Sequence, residues 1–514
     1  MLVRLLFLAA WICPTVALIG GGLPASRIVA SVGAAGLSGA LLCILPWRAF
    51  RIARVITAAL LPLSWLWIGY VTLNGMGPTA IDAAGALANT NPSETLTALR
   101  LLCNSESIGL GLTQSLLLAA SYVLPPAREL RHSRAALAIL LSLLMLDGWI
   151  PRLLASTPAF LPGRDDWQNF PYGSAADVVS ALVDNPSLLR PPISHRSPVV
   201  DEAHVADAID AIFVVGESFR YERQWQAGDP QAWSALNGRL RAGLGVVLPK
   251  VCASADATMR SVPMLVTGTS PAHSADAATA PSGLTRLAAA GYATAWISNQ
   301  TDAFFNDEHR DLVWLAKGYA NQYDDALLPI ATEFLARKDA RNKALVLHLM
   351  DSHAAYIDRY PAMAEPVGLG VERQELLEYH RANDHTGRFL GKIAALIDTL
   401  PIPAFAVYVS DHGENLLSDH NGIHYHIGAR TTAEAGYVPS FVFWNSAFLR
   451  AFHPIDRLRR MLAAPSLAHA DVYKIWMNFA GLGIELSPTL DPQILGKIRL
   501  TDQVGAVPCS RLGR

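Results

Sequence analysis

Three short polar motifs carry residue types that bind metal ions and transfer groups. They are Gly-Glu-Ser at 216–218, Asp-Ser-His at 351–353 and Asp-His-Gly-Glu at 411–414, and each directly follows an apolar run. Carboxylate oxygens and imidazole nitrogens form the mixed ligand set that zinc prefers, although ligand type alone does not exclude manganese. Each motif alone is also an ordinary turn sequence. Their occurrence after three apolar runs of one region predicts a metal site.

Ser218 is the most obvious nucleophile by position, because it lies beside Glu217 at the end of an apolar run. A serine hydrolase of the α/β type needs the frame Gly-x-Ser-x-Gly, in which a sharp turn exposes the hydroxyl. The last glycine of that frame is Arg220 here. The sequence therefore excludes a nucleophile elbow at Ser218. A bound metal ion would instead activate the reacting hydroxyl.

The elements that must bring these motifs together are short apolar runs separated by helical patterns. Such runs are typical of strands that are buried on both faces of a parallel sheet. Alternating strands and helices predict a doubly wound α/β sandwich, in which sites form at the carboxyl ends of the strands. The predicted strands are Ala211–Val215, Tyr292–Ser298, Ala344–Met350, Ala404–Ser410 and Ser440–Trp444, and the predicted helices are Gly283–Ala290, Leu327–Ala336 and Val371–Leu400.

The first 160 residues differ in composition from the rest of the chain. They contain ten arginines, no lysine and five acidic residues, which leaves 31 basic and 38 acidic residues and a net charge of −7 for the remainder. Apolar runs near the roughly 20 residues of a membrane-spanning helix predict five spans. The runs are Leu5–Ser26, Ile28–Trp47, Val55–Leu73, Ser107–Leu124 and Ala135–Leu154. The first is expected to be a retained anchor, and the fifth would alternatively suit a buried core helix.

Arginines are concentrated in two of the loops that these spans predict. The 74–106 loop carries one arginine against three acidic residues, whereas each arginine-rich loop carries three arginines. Positive loops face the cytoplasm, so five spans with a cytoplasmic N-terminus place everything after Leu154 on the outer face. This pattern predicts a multi-pass membrane protein whose last part lies on the outer face, which in a bacterium is the periplasm. The arginines are Arg48, Arg51 and Arg54 in one loop and Arg128, Arg131 and Arg134 in the other.

A proline-rich stretch divides the chain into a membrane domain at 1–156, a linker at 157–200 and a periplasmic catalytic domain at 201–514. The acidic balance of the last part, and its lack of a large basic patch, argue against nucleic acid as a partner. Cys252 and Cys509 are its only cysteines. Their number permits one disulfide without establishing it.

An ordered series of motifs resembles a known family. Phe-Val-Val-Gly-Glu-Ser at 213–218, Thr-Met-Arg-Ser-Val-Pro at 258–263, Trp-Ile-Ser-Asn-Gln at 296–300, the segment 348–361 and Tyr-Val-Ser-Asp-His-Gly-Glu at 408–414 occur in that order. The series is similar to that of the membrane-bound phosphoethanolamine transferases of the alkaline phosphatase/sulfatase superfamily. Five spans before a periplasmic domain also look like that family. The resemblance thus implies an α-helical membrane region of five spans followed by an α/β doubly wound sandwich of alkaline phosphatase/sulfatase type.

The resemblance implies a ligand set and a nucleophile. Carried over position by position, the zinc ligands would be Glu217, Thr258, Asp411 and His412, with Thr258 as the nucleophile. Coordination to zinc lowers the pKa of a hydroxyl, and in-line phosphoryl transfer needs little beyond positioning and charge neutralisation. The competing hydroxyls are Ser218, Ser254 and Ser261.

The same resemblance implies residues that bind substrate. His353, in the Ser-His pair after the middle strand, and His426, after an Asn-Gly pair, would hold substrate phosphate or a second metal. His424 and His420 lie near enough in the sequence to take the place of His426. One departure from the family lies beside this group, because Asp351 stands where a glycine usually precedes the Ser-His pair.

A second substrate segment is implied in the 74–106 loop. Thr90 and Glu94 resemble the threonine and glutamate with which family members hold phosphatidylethanolamine. The asparagine expected one turn before Thr90 is Ala86. Thr90 or Ser93 would equally suit the N-cap of a helix that runs to Leu102.

The implied reaction is metal-dependent transfer of phosphoethanolamine from phosphatidylethanolamine to lipopolysaccharide, lipid A or another envelope glycan, through a covalent threonine intermediate. Phosphoglycerol transfer and phosphodiester hydrolysis use the same nucleophile and metal and stay open as alternatives. Sulfate ester hydrolysis is disfavoured, because Ser-Val-Pro-Met-Leu at 261–265 lacks the arginine of the formylglycine frame. A non-catalytic scaffold is disfavoured too, since none of the four ligands is lost.

Overall fold

The computed structural model describes residues 2–20, 25–74, 102–103, 105–123, 208–221, 228–300, 312–315, 323–338, 342–363, 368–421, 423–426, 430–497 and 504–512. The chain forms two compact units, one of residues 1–189 with 421–423 and the other of residues 190–420 with 424–514. The boundaries at 156 and 200 stay predictions.

The described part of the first unit is helical. Its α-helices are α1 Leu2–Ile12, α2 Ala25–Ile44, α3 Trp47–Ala59, α4 Leu61–Asn74 and α5 Ser105–Val123. A 3₁₀ helix follows α1 at Cys13–Gly20, where Pro14 cannot donate the backbone hydrogen bond that an α-helix needs. Among the residues described, no helix is by itself long and apolar enough to cross a bilayer, while the bent pair Trp47–Ala59 and Leu61–Thr72 meets that requirement jointly, with a bend of 54°.

The five predicted spans are therefore not confirmed, and the fifth run, 135–154, lies outside the described residues, as do Arg128, Arg131 and Arg134. The placement of the other three arginines in a loop is wrong, because they lie within α3. Arg54 is buried there, donates a hydrogen bond to the carbonyl of Ser121 and lies 4.1 Å from the ring centroid of Tyr122. These contacts with α5 stabilise the Arg54 guanidinium inside the helical unit, whereas the sequence pattern predicted a solvent-exposed loop residue.

The second unit is built on a seven-stranded sheet. In chain order the strands of this unit are β1 Asp210–Gly216, β2 Gly245–Val247, β3 Val251–Cys252, β4 Ala293–Ser298, β5 Leu312–Leu315, β6 Lys343–His348, β7 Ala404–Ser410, β8 Tyr437–Val438, β9 Ser440–Trp444, β10 Leu467–Ala468, β11 Gln493–Gly496 and β12 Gly505–Pro508. The large sheet has the order β2-β9-β7-β1-β6-β4-β5. The strands from β7 to β5 run parallel, and β9 is antiparallel to both β7 and β2. The five predicted strands are confirmed to within two residues at each end.

Successive residues of a strand point to opposite sides of the sheet, so apolar strands give the sheet two apolar faces. Helices pack on both of these faces. In β1, Phe213 and Val215 enter one core while Ile212 and Val214 enter the other. The Phe213 ring stacks on Trp476 at a centroid distance of 4.5 Å. Burying each such side chain contributes about 2 kcal/mol. The doubly wound α/β sandwich is thus confirmed.

The predicted helices of this unit are also confirmed to within two residues. They correspond to Gly283–Ala289, Leu327–Leu335 and Val371–Asp398. In chain order the α-helices are α6 Ser234–Arg241, α7 Thr258–Thr267, α8 Gly283–Ala289, α9 Leu327–Leu335, α10 Val371–Asp398, α11 Ala433–Gly436, α12 Ser446–Phe452, α13 Pro454–Leu462 and α14 His469–Phe479.

Two small sheets lie beside the large one, with the orders β10-β3-β8 and β11-β12. Cys252 in β3 and Cys509, directly after β12, form a disulfide, which the cysteine count had left open. The bond ties the C-terminal hairpin to the strand that leads toward Thr258. Because 257 residues separate the two cysteines, the cross-link removes much conformational freedom from the unfolded chain.

Candidate metal and nucleophile site

The site begins at the carboxyl end of β1, in the middle of the sheet. Glu217 follows this strand and is fully buried. The strand ends on Gly216, where an added Cβ atom would overlap the hydroxyl of Tyr408 and the carboxylate of Asp351. Glycine at this position thus leaves room for the Tyr408 hydroxyl and the Asp351 carboxylate to pack against the end of the strand.

Asp411 and His412 follow β7, the parallel neighbour of β1. The Asp411 amide donates to the carbonyl of Gly216 at 3.1 Å, which continues the pairing of the two strands past their ends. Asp411 Oδ1 accepts hydrogen bonds from the amides of Ser218, at 3.2 Å, and His412, at 2.7 Å. Parallel pairing of β1 and β7 therefore places the two carboxylates at one edge, as the sequence predicts.

The Thr258 hydroxyl lies among these groups. Ala257 has an extended conformation and Thr258 begins α7, so the side chain projects from the first turn of that helix. Its Oγ1 lies 3.0 Å from Glu217 Oε2 and 3.1 Å from His412 Nε2. The four residues that the family resemblance implies as ligands thus meet in one place.

The His412 ring is oriented by the protein backbone. Its Nδ1 lies 2.8 Å from the carbonyl oxygen of Gly413, which can only accept, so Nδ1 carries the proton. Nε2 then faces Thr258 Oγ1 and lies 3.2 Å from Glu217 Oε1. A histidine that donates one N–H to a carbonyl and presents the other nitrogen to the site has the usual arrangement of a metal ligand.

The electrostatics of the site reflect two carboxylates that are buried together. Burial raises the pKa of Asp411 well above its usual range, and the negative charge of Glu217 adds to the effect. Burial would also raise the pKa of Glu217, but the charge and hydrogen bond of His412 outweigh it and hold that pKa well below its usual range. Burial opposes the charged form of His412, yet Asp411 and Glu217 raise its pKa to about 10. The pocket thus favours an added positive charge.

The residues present fit a zinc ion. Within the part of the chain that the structure describes, Glu217, Asp411 and His412 are the group whose ligand atoms all lie within 4.8 Å of one another. Asp411 Oδ2 is buried and has no hydrogen-bond partner in the protein. An unsatisfied buried carboxylate oxygen is costly, and a cation would both satisfy it and offset the repulsion from Glu217. Two carboxylates, one imidazole and a hydroxyl match the mixed oxygen and nitrogen ligation of zinc.

Sequence reasoning gave no role to Gln300, which supports this group. Its side-chain amide donates hydrogen bonds to Glu217 Oε2 at 2.9 Å and to the carbonyl of Leu349 at 3.0 Å. Gln300 follows β4 by two residues and is buried. The rule that polar residues after strands belong to the site would have found it. Ser218 donates to Glu217 Oε1 at 3.0 Å and therefore orients the carboxylate.

The structure brings His426 and His353 to the same side of the site. The His426 ring lies 4.1 Å from that of His412 and 6.4 Å from that of His353, centroid to centroid. His426 Nδ1 is 3.2 Å from Glu414 Oε1. Burial, aided by the charge of His412, holds the pKa of His426 well below its usual range, whereas burial raises the pKa of Glu414 to about 8. The imidazole of His426 is therefore neutral at pH 7.

The two histidines that could have replaced His426 lie elsewhere. His424 is buried and its Nε2 lies 2.5 Å from Glu375 Oε1 on α10. His420 is exposed, and its Nε2 lies 3.4 Å from Glu372 Oε1. His426 is thus the member of the group that packs against His412. Thr90 and Glu94 lie outside the described residues.

Known proteins resemble both this domain and the whole chain. A family model described as Sulfatase matches residues 210–482. Phosphoethanolamine transferase EptC of Escherichia coli K12 is 25% identical over 228 residues, which cover 40% of this chain and 39% of that protein. Phosphoethanolamine transferase EptA of Helicobacter pylori is 24% identical over 179 residues, which cover 33% of this chain and 34% of that protein. The matched region thus spans well under half the length of these relatives.

Solved structures extend the likeness of fold. The integral membrane protein lipooligosaccharide phosphoethanolamine transferase A from Neisseria meningitidis matches with a TM-score of 0.63 and 15% identity, covering 93% of this chain and 95% of that chain. The periplasmic domain of EptC from Escherichia coli, in complex with Zn, matches with a TM-score of 0.51 and 20% identity, covering 61% of this chain and 95% of that chain. At these identities the likeness concerns the fold.

Proposed function

The chain belongs to the sulfatase family, and from that premise we propose that it transfers phosphoethanolamine from phosphatidylethanolamine to an envelope glycan. The acceptor class is lipopolysaccharide, lipid A or a related glycolipid. The observation that carries the proposal is the Thr258 hydroxyl at 3.0 Å from Glu217 and 3.1 Å from His412. A threonine at the start of a helix, among groups that fit zinc, supports Thr258 as the nucleophile.

Each residue of the site has a defined task in this reaction. Glu217, Asp411, His412 and Thr258 would hold a zinc ion, which when bound lowers the pKa of a ligating hydroxyl and neutralises phosphoryl charge. Manganese is not excluded by ligand type. His353 and His426 would contact the phosphoryl group, His426 as a neutral imidazole.

The reaction proceeds in two displacements. Thr258 Oγ1 bonds to phosphorus, the bond from phosphorus to the glycerol oxygen breaks, and the threonine proton leaves with diacylglycerol. The acceptor oxygen then bonds to phosphorus, the bond to Thr258 breaks, and the acceptor proton returns to the threonine. Positioning and charge neutralisation supply most of the catalysis in such transfers.

Relatives support the donor group and the metal. Three of the five curated relatives are named phosphoethanolamine transferase and the other two putative transferase, and a solved EptC domain is a complex with Zn. Thr90 and Glu94 would hold the lipid donor. The protein would reside in a bacterial inner membrane with residues 155–514 in the periplasm. An alkaline phosphatase fusion after Arg514 should be active and one within 128–134 inactive, and the reverse result would refute this topology.

The test is the covalent intermediate. Full-length protein is incubated with zinc and phosphatidylethanolamine without acceptor, and intact-mass and peptide analysis should locate one phosphoethanolamine group on Thr258. Thr258→Ala should form no adduct, whereas the control Ser218→Ala should still form it. Modification of Ser218, or full transfer by Thr258→Ala, would refute the proposal. A phosphoglycerol adduct from phosphatidylglycerol in its place would identify the alternative transferase.

A further inference from the structure

A buried histidine outside the proposed ligand set connects the segment before Thr258 with the turn after β7 that carries Asp411 and His412. His469 is fully buried at the first position of α14, and the pairing of β10 with β3 brings it beside the segment that leads to Thr258. Its Nδ1 accepts a hydrogen bond from the Ser254 amide at 3.0 Å. Its Nε2 lies 3.0 Å from the carbonyl of Ser410, the residue before Asp411.

The hydrogen bonds determine the tautomer of this ring. An amide N–H points at Nδ1, so that nitrogen presents its lone pair, and a carbonyl oxygen faces Nε2, so that nitrogen carries the proton. Burial lowers the pKa of His469 to about 3, which agrees with a permanently neutral ring. An imidazolium would direct a second N–H against the Ser254 amide.

A serine on the nucleophile helix completes the connection. The Ser261 hydroxyl donates to the carbonyl of Asp411 at 2.6 Å and lies 3.4 Å from His469 Nδ1. Ser261 lies one turn after Thr258 on α7, so both the segment before that helix and the helix itself are tied to the turn that carries Asp411 and His412.

We propose that His469, together with Ser261, is a positioning residue that sets the nucleophile helix against the ligand-bearing turn after β7. The inference rests on the proposed function for its catalytic consequence, but its effect on zinc binding does not need a substrate. Replacing a residue that contacts metal ligands without binding the metal itself typically lowers metal affinity or activity about 10- to 100-fold.

Two substitutions separate the two sides of the ring. His469→Asn keeps an acceptor near the position of Nδ1 and loses the contact to Ser410, while His469→Gln reaches toward Ser410 and loses the acceptor for Ser254. We expect His469→Asn to weaken zinc binding by about tenfold or more. We expect His469→Gln to retain zinc and to slow adduct formation on Thr258 by a similar factor, with little change in the KM for phosphatidylethanolamine.

The experiment uses full-length protein in detergent, with zinc affinity measured by competition with a chelating dye and adduct formation measured by intact mass. Val472→Ala, a buried position on the same helix, is the matched control, since it creates a cavity without removing a hydrogen bond. It should lower Tm as the histidine variants do while zinc affinity and rate per folded molecule stay within twofold of wild type.

Zinc affinity and rate within twofold of wild type in both histidine variants would overturn the proposal, as would equal losses in Val472→Ala. If the histidine variants do not fold, Ser261→Ala decides, and unchanged zinc affinity and rate in that variant would overturn it. A wild-type protein that binds zinc but forms no adduct would contradict the proposed reaction, and the zinc affinities would still test the positioning role.

Discussion

Buried carboxylates of the second unit lie in two different kinds of surroundings. Asp471, on α14, accepts hydrogen bonds from the Ala468 amide at 2.9 Å, the Lys474 ammonium at 2.8 Å, and the amide and hydroxyl of Thr489 at 3.0 and 2.8 Å. Asp411, at the edge of the sheet, satisfies Oδ1 with two amides but leaves Oδ2 without a hydrogen bond, with His412 Nε2 3.5 Å away. Both side chains are fully buried.

The difference shows what each carboxylate does. An acid whose oxygens are saturated by N–H and O–H donors stabilises the fold, because folding replaces its lost hydration. A buried acid that has one oxygen without a hydrogen bond and lies beside a second carboxylate destabilises the metal-free protein, because its lost hydration is not replaced. The same acid binds a cation strongly. Asp324 belongs to the first kind, since Asn299 and the amides of Met350 and Asp351 donate to it at 2.8 to 2.9 Å.

The largest effect is expected at the nucleophile. Thr258→Ala removes the oxygen that we propose attacks phosphorus and should reduce phosphoethanolamine transfer by at least about 10³-fold, while the proposed zinc site keeps its two carboxylates and histidine. Transfer from labelled phosphatidylethanolamine in membranes measures this loss. Residual transfer above one tenth of wild type would show that another hydroxyl reacts.

The contrast between the two aspartates predicts changes of opposite sign. Asp471→Asn should lower the free energy of unfolding by about 1–3 kcal/mol and leave zinc affinity unchanged, because an amide nitrogen would then face N–H donors. Asp411→Asn should weaken zinc binding by about 100-fold or more and raise the Tm of metal-free protein, because repulsion with Glu217 disappears. Thermal unfolding with chelator present measures the metal-free stability of both variants. A lower metal-free Tm in Asp411→Asn than in wild type would contradict the comparison.

Removal of metal should distinguish the same two residues. Zinc at about 100 times its Kd stabilises the protein that binds it by about 2.7 kcal/mol. Chelator should therefore lower the Tm of wild type and of Asp471→Asn, and should leave Asp411→Asn unchanged. An equal response in all three proteins would place the metal elsewhere.

Acid should destabilise the fold through buried neutral histidines. Burial lowers the pKa of His348 to about 4, so between the unfolded pKa of about 6.5 and that value the unfolded chain binds more protons than the folded one. Stability therefore falls as pH falls, by about 2 kcal/mol for this group between pH 7 and pH 5. Urea unfolding at both values measures the loss, and His348→Asn should show a shallower dependence on pH.

The smallest effect is expected at an exposed acid. Asp456 pairs with Arg459 at 2.7 Å on α13, but the two side chains are 69% and 80% exposed. Water and salt screen such a pair, so Asp456→Asn should change the free energy of unfolding by no more than about 0.5 kcal/mol. A loss as large as that of Asp471→Asn would mean that burial does not decide the value of a carboxylate in this domain.

The sequence by itself determined the sheet, its helices and the edge at which the ligands meet. Nearly uniform apolar runs can only be buried on both faces, and parallel strands bring the residues that follow them to one edge. Glu217, Asp411 and His412 were thus predictable from position, and Thr258 from its resemblance to a known motif.

Only the tertiary structure decided the contacts between residues far apart in the chain. It selected His426 over His424 and His420, joined Cys252 to Cys509, and placed Gln300 and His469 behind the ligands. It also showed that three arginines predicted to lie in a loop belong to helix α3. Local pattern fixes which face a residue occupies, whereas the partner of a side chain depends on packing between elements that the pattern does not encode.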